Sequence, residues 1–158
     1  MPSKRIARGA LALFLLAPVA SAKWKFFRAG NASEGTDTHF VKRDRMGRLV
    51  VFLARILQDG WAKHVRAIAV EESAAALLEP DGQSRVVGSG PAYFLEARNS
   101  AEVCRRKTPL SFNEIRVHSL PSGGSFNRKD WKEASGDDYQ LSAVKGEFRL
   151  NGANHRIY

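Results

Sequence analysis

The chain has 158 residues, 25 basic against 16 acidic side chains and one cysteine, for a formal charge of +9. A lone Cys104 excludes a small scaffold stapled by internal disulfides, and the length allows one domain whose core needs no metal or disulfide to hold it. The first 22 residues have the three parts of an export signal. Lys4, Arg5 and Arg8 form a basic start, residues 10–19 are an unbroken apolar run, and Ala20-Ser21-Ala22 supplies small residues for signal peptidase. The run is about half of the roughly 20 apolar residues that a membrane-spanning helix needs, so it reads as an address, not an anchor. No cysteine follows the cut to carry a lipid. A soluble periplasmic or secreted domain over residues 23–158 is therefore expected, with no transmembrane segment after cleavage. Three cations leave with the leader, lowering +9 to +6. Such a field favours anionic envelope polymers or an extracellular protein as partners, and export excludes cytoplasmic nucleic acid.

In chain order, residues 23–28 alternate as an opening strand, residues 30–36 have the Gly, Asn, Ser and Thr content of a loop, and residues 37–42 return to strand character. Residues 49–57 are nearly continuously apolar and predict a central strand covered on both faces. Over residues 61–79, Ala67, Val70, Ala74, Leu77 and Leu78 recur at helical spacing, with Asp59 as a cap and Pro80 as a stop. A competing reading makes Gln58-Asp59-Gly60 a hairpin turn and residues 61–70 a returning strand rich in β-branched side chains. Residues 93–98 and 102–105 predict short strands. Residues 112–120 alternate as a firm strand, and the tail predicts one or two more. The sum is an α+β fold: a single small domain, mainly antiparallel sheet, with one packed helix.

Candidate chemistry is sparse. The sequence Cys104-Arg105-Arg106-Lys107 places cations beside a thiol, which favours a reactive thiolate if they surround the sulfur and a buried structural cysteine if they do not. His39, His64, His118 and His155 include no pair at i, i+4, so no metal site and no cofactor are expected. Gly88-Ser89-Gly90-Pro91 and Ser122-Gly123-Gly124-Ser125 lack the spacing of a nucleophile elbow and the lysine of a phosphate loop, and read as turns. Basic clusters at Lys42, Arg43, Arg45 and Arg48, at Arg105, Arg106 and Lys107, and at Arg128 and Lys129 would grip a polyanion if they converged on one rim, with Trp131 adding stacking.

Several stretches resemble small secreted bacterial proteins of the surface-adhesin protein E type. These are the leader ending Ala20-Ser21-Ala22, the opening Trp24-Lys25-Phe26-Phe27, the strand containing Phe40, Ala101-Glu102-Val103-Cys104, residues 114–120 and Trp131-Lys132. The resemblance covers about half of the mature domain. This chain departs from that group at His39-Phe40-Val41-Lys42, where a tyrosine and aspartate are common, and in lacking a second cysteine. It implies a compact α+β secreted domain without catalysis. The expected function is thus non-enzymatic, adhesin-like surface binding at the envelope, against the alternative of a small secreted thiol enzyme or redox protein using Cys104.

Overall fold

The computed structural model describes residues 27–29, 32–133, 136–151 and 156–158. The leader, residues 23–26 of the expected opening strand and His155 lie outside the described residues. The remainder of that strand is β1 (Phe27–Ala29), which pairs antiparallel with β2 (Ala32–Thr38). The stretch expected to be a loop is therefore largely strand. Its composition is poor for a strand, but β2 is laddered on both sides, and pairing context overrides so weak a preference.

The largest correction falls on residues 49–79. Residues 49–57 belong to a helix, α1 (Met46–Gln58), and residues 61–79 yield β3 (His64–Val70) and β4 (Ala74–Leu78). Met46, Leu49, Val50, Leu53, Ala54 and Leu57 recur at i, i+3, i+4, i+7, i+8 and i+11, and all are buried, whereas Val51 on the opposite side is 46% exposed. Two-sided apolarity was the misleading cue, because the outward positions include one valine. Gly60 ends the helix at φ 71°: Trp61 N donates to Ile56 O (3.0 Å) and Gly60 N to Leu57 O (3.1 Å), the paired bonds of a Schellman stop. Gln58-Asp59-Gly60 thus closes the preceding helix and is neither a cap for a following one nor a hairpin turn.

The remaining strands are β5 (Gln83–Gly88), β6 (Ala92–Ala97), β7 (Phe112–Leu120), β8 (Ser125–Asn127), β9 (Lys132–Glu133), β10 (Asp137–Val144) and β11 (Glu147–Asn151). Residues 102–105 make only an isolated bridge, Val103 to Ser111. A seven-stranded sheet runs β1-β2-β3-β6-β7-β10-β11, and a four-stranded sheet runs β4-β5-β8-β9. Every pairing is antiparallel except β2 with β3, the pair that α1 connects. A parallel neighbour requires such a crossover. Over the described residues the fold is α+β, mainly antiparallel with one packed helix.

Strand alternation separates two cores. Val65, Ala67 and Ala69 of β3 and Tyr93, Leu95 and Ala97 of β6 pack with α1, while Ile68, Val70, Ala92 and Phe94 pack with Val86, Phe126 and Trp131 on the small-sheet side. In β7 the simple alternation fails at Glu114, whose φ is 60°. Ile115 faces Leu141 and Phe112 faces Ala143, three residues against two, so a bulge brings Phe112, Ile115 and Val117 into one core.

Candidate functional site

The parallel pair β2 and β3 ends at Thr38 and Val70, and the chain leaves β2 abruptly. His39 adopts φ 51°, in the left-handed region that a residue with a Cβ rarely enters unless its surroundings hold it there. The turn that follows is knitted by Arg43 N to His39 O (3.2 Å), Asp44 N to Val41 O (2.9 Å) and Arg45 N to Phe40 O (3.0 Å). Phe40, fully buried, plugs the turn into the core against Tyr93 and Tyr158, with ring centroids 5.3 and 5.8 Å away. The Tyr158 hydroxyl accepts from Met46 N (2.9 Å), an unpaired donor at the start of α1, and donates to Asp44 Oδ1 (3.0 Å). Burial pushes the Tyr158 phenol well above the ordinary tyrosine range.

Asp37 lies under the turn at 3% exposure. Its Oδ1 accepts from Arg45 Nη1 (3.0 Å), Arg48 Nη2 (2.9 Å) and Thr38 N (2.8 Å), and Arg45 also donates to Thr38 O (2.7 Å). The buried carboxylate is thereby compensated by two guanidiniums, one from the N-cap residue of α1 and one from its first turn, as burial of charge requires. Opposite them, the end of β3 brings up Glu71 and Glu72. His39 Nδ1 is 3.6 Å from Glu72 Oε1, Lys42 Nζ pairs with Glu72 Oε2, and Glu71 Oε2 accepts from Val41 N and Lys42 N. The Lys42 ammonium beside Glu72 is the main cause holding that carboxyl below the usual range. A strained, partly exposed imidazole thus stands between an ionised carboxylate and a rim of cations.

Of the expected binding residues, Lys42, Arg43, Arg45 and Arg48 converge here, although Arg45 is turned inward with its side chain 13% exposed. The other clusters do not join them. β6 runs antiparallel to β3, with Ala97 opposite Val65, so Arg105, Arg106 and Lys107 follow β6 at the other pole of the sheet. Arg128 and Lys129 lie between β8 and β9, where Arg128 N bonds Gly82 O (2.8 Å). Trp131 is corrected outright: it is 2% exposed, packed on Phe94 and Phe126, with the Arg66 guanidinium 4.4 Å from its ring. Among the described residues, the exposed tryptophan is Trp61. Cys104 is partly buried against the α1 core, whereas His118 packs near Phe126 on the opposite side of the sheet, so the two do not meet. No group of three potential metal ligands occurs among the described residues.

A second polar region lies on the sheet face away from α1, beyond the cover of the small sheet. Glu96, Arg98, Glu114, Arg116, Asp138 and Gln140 line an open depression of about 750 Å³. Glu96 is fixed by Arg66 Nε (3.0 Å) and by Arg98 Nη2 (3.3 Å). This region carries no strained histidine.

Asp37, Glu71 and Glu72 carried no expected role, and His39 figured only as one histidine of four and in the stretch that departs from the adhesin-like pattern. The signal was an acid two residues before a histidine, followed by three cations leading into a helix and a fourth in its first turn. It stays hidden while residues 49–57 are read as strand.

No family model matches the chain. It is 26% identical over 104 residues to a cyanophycinase of Geminocystis herdmanii, covering 63% of this chain and 36% of that protein. With the cyanophycinases of Synechococcus elongatus and Thermosynechococcus vestitus it shares 29% identity over 96 residues, 58% of this chain and 28% of each of theirs. The chain thus spans about a third of the length of these curated relatives. Cyanophycinases are hydrolytic enzymes, so this likeness overturns the expectation of a non-enzymatic, adhesin-like protein and points towards catalysis.

Proposed function

We propose that the chain carries hydrolytic chemistry of the cyanophycinase kind, centred on His39. The observation that carries this reading is an imidazole held at φ 51° at the carboxyl end of a parallel strand pair, with a carboxylate 3.6 Å from its Nδ1. In open α/β sheets ligands gather outside the carboxyl ends of parallel strands, an end that this single parallel pair also presents, and strained backbone concentrates at reacting centres. With Nδ1 turned to Glu72, Nε2 is the nitrogen that takes the proton of the attacking water or hydroxyl, and the ionised Glu72 stabilises the imidazolium that forms. Among the described residues, no hydroxyl or thiol hydrogen-bonds the imidazole. Lys42, Arg43 and Arg48, all exposed, favour a carboxylate-bearing substrate and the negative charge that develops on the attacked carbonyl. The leader supports placing this reaction outside the cytosol, which N-terminal sequencing of the exported protein checks.

The test is release of soluble product from cyanophycin by the full chain. Hydrolysis is expected from the parent, and His39→Gln, which keeps shape and hydrogen bonding but not a transferable proton, should lose about a hundredfold or more. Hydrolysis of cyanophycin by His39→Gln at the parent rate would refute the assignment.

A further inference from the structure

We infer that Glu71, seated on the Gly88-Ser89-Gly90-Pro91 segment, is the positioning residue of the site; the inference rests on the reading of His39 given above. A left-handed backbone at a non-glycine residue persists only when its surroundings over-determine it. Three atoms do so here: Glu71 Oε2 accepts from both Val41 N and Lys42 N, two and three residues past His39. Those donors sit in the turn itself, so the carboxylate fixes the backbone from which the imidazole projects. Glu72, the next residue, engages the His39 and Lys42 side chains instead. Backbone and side chains of one turn are thus held by two successive carboxylates.

Successive residues of a strand point to opposite faces, so two adjacent glutamates can serve one turn only where the strand has ended. The chain does bend here. Ser73 adopts φ 61° and Ala74 N returns to Glu71 O at 3.2 Å. The bend rests on the glycine segment through Glu71 N to Pro91 O (3.1 Å) and Ser89 N to Ser73 O (2.9 Å). Neither glycine can carry a side chain without moving it. A Cβ at Gly88, itself at φ 102°, would stand 2.0 Å from Ser73 O, and one at Gly90 would stand 2.8 Å from Glu71 Cβ and 3.1 Å from its Cγ. A motif that reads from sequence as a plain turn is therefore the support that sets how far Glu71 reaches.

Glu71→Ala, Glu71→Gln and Gly90→Ala in the full chain test this by amide hydrogen exchange at Val41 and Lys42 and by cyanophycin hydrolysis. In Glu71→Ala both amides should exchange faster, and kcat should fall about a hundredfold, the effect of a misplacement near 1 Å at a reacting centre, with KM unchanged. Glu71→Gln keeps a carbonyl oxygen for the same two donors and should recover most of kcat and of the protection. Gly90→Ala, which leaves the carboxylate in place chemically but displaces its stem, should behave like Glu71→Ala. Unchanged exchange at both amides in Glu71→Ala, or a Glu71→Gln variant as defective as Glu71→Ala, overturns the inference. Exchange reports the anchoring without reference to activity, so a failure of the His39 reading, seen as full hydrolysis by His39→Gln, is told apart from a failure of this one.

Discussion

Asp37 and Glu96 are both buried carboxylates, 3% and 4% exposed, and each accepts hydrogen bonds from two arginines, one well buried and one more open. Each also has a histidine on or beside its own strands whose Nδ1 lies 3.6 Å from a further carboxylate: His39 with Glu72, and His118 with Asp138. The two regions part company in the backbone. Glu96 sits inside a regular ladder between β3 and β7, its partner Arg66 is stacked on Trp131, and the His118 side chain is 3% exposed. Asp37 sits one residue from the end of its strand, and the His39 side chain, on a left-handed turn, is 32% exposed. A buried carboxylate with two arginines is therefore a pin that holds structure in either place. Reactivity needs a ring that the ladder has released and that solvent and substrate can reach.

Removing the two pins in turn breaks the comparison most strongly. Asp37→Ala leaves Arg45 buried without its partner and should destabilise the chain by about 3–5 kcal/mol, the usual effect of halving a buried ion pair, and should abolish hydrolysis as the turn loosens. Glu96→Ala returns the 71% exposed Arg98 to water but leaves Arg66, 18% exposed, without its partner, so it should also lose about 3–5 kcal/mol, and it should keep the parent kcat wherever it is folded. Denaturant titrations with parallel assays measure both, and a Glu96→Ala variant as inactive as Asp37→Ala would erase the distinction.

A gentler probe uses alkali. Burial raises the phenol groups of Tyr93, Tyr139 and Tyr158, all packed in the α1 core, above their ordinary value of 10.0. The folded state then holds protons that the unfolded chain has released. Their contribution to stability is complete below pH 10 and is lost progressively as pH rises from there through the folded values. Unfolding midpoints followed against pH beside tyrosinate absorbance should show the fall beginning at the unfolded value, before the folded phenols ionise. The smallest effect belongs to neither pin: Arg55→Ala removes an exposed i, i+4 pair with Asp59 and should change stability by about 0.3–0.5 kcal/mol.

Much of the architecture was legible in the residues, and the costliest error has one cause. Strand β7 and the α+β class followed from alternation and turn chemistry, and β6 was placed within a residue of its bounds. The helix and the strand around Gly60 were exchanged because Val51 made an amphipathic helix look apolar all round, while Ala67, Val70 and Ala74 happened to mimic helical spacing across a strand and a turn. That exchange hid the site, since His39 and Asp37 matter only once α1 starts at Met46 and β3 ends at Val70 beside Glu71. The pairing of β2 with β3, the bend at Ser73 and the close seat on Gly88 and Gly90 depend on long-range packing, which local pattern does not carry. The basic clusters misled for a related reason: charge is visible in sequence, whereas the pole of the sheet at which it emerges is set by topology.

The most direct measurement is the hydrolysis of cyanophycin by His39→Gln and His118→Gln side by side, with unfolding followed on the same samples. The account predicts that His39→Gln stays folded and loses turnover, while His118→Gln, altered inside a packed core, loses stability and keeps its turnover wherever it is folded. Turnover retained by His39→Gln and lost by a folded His118→Gln would contradict it.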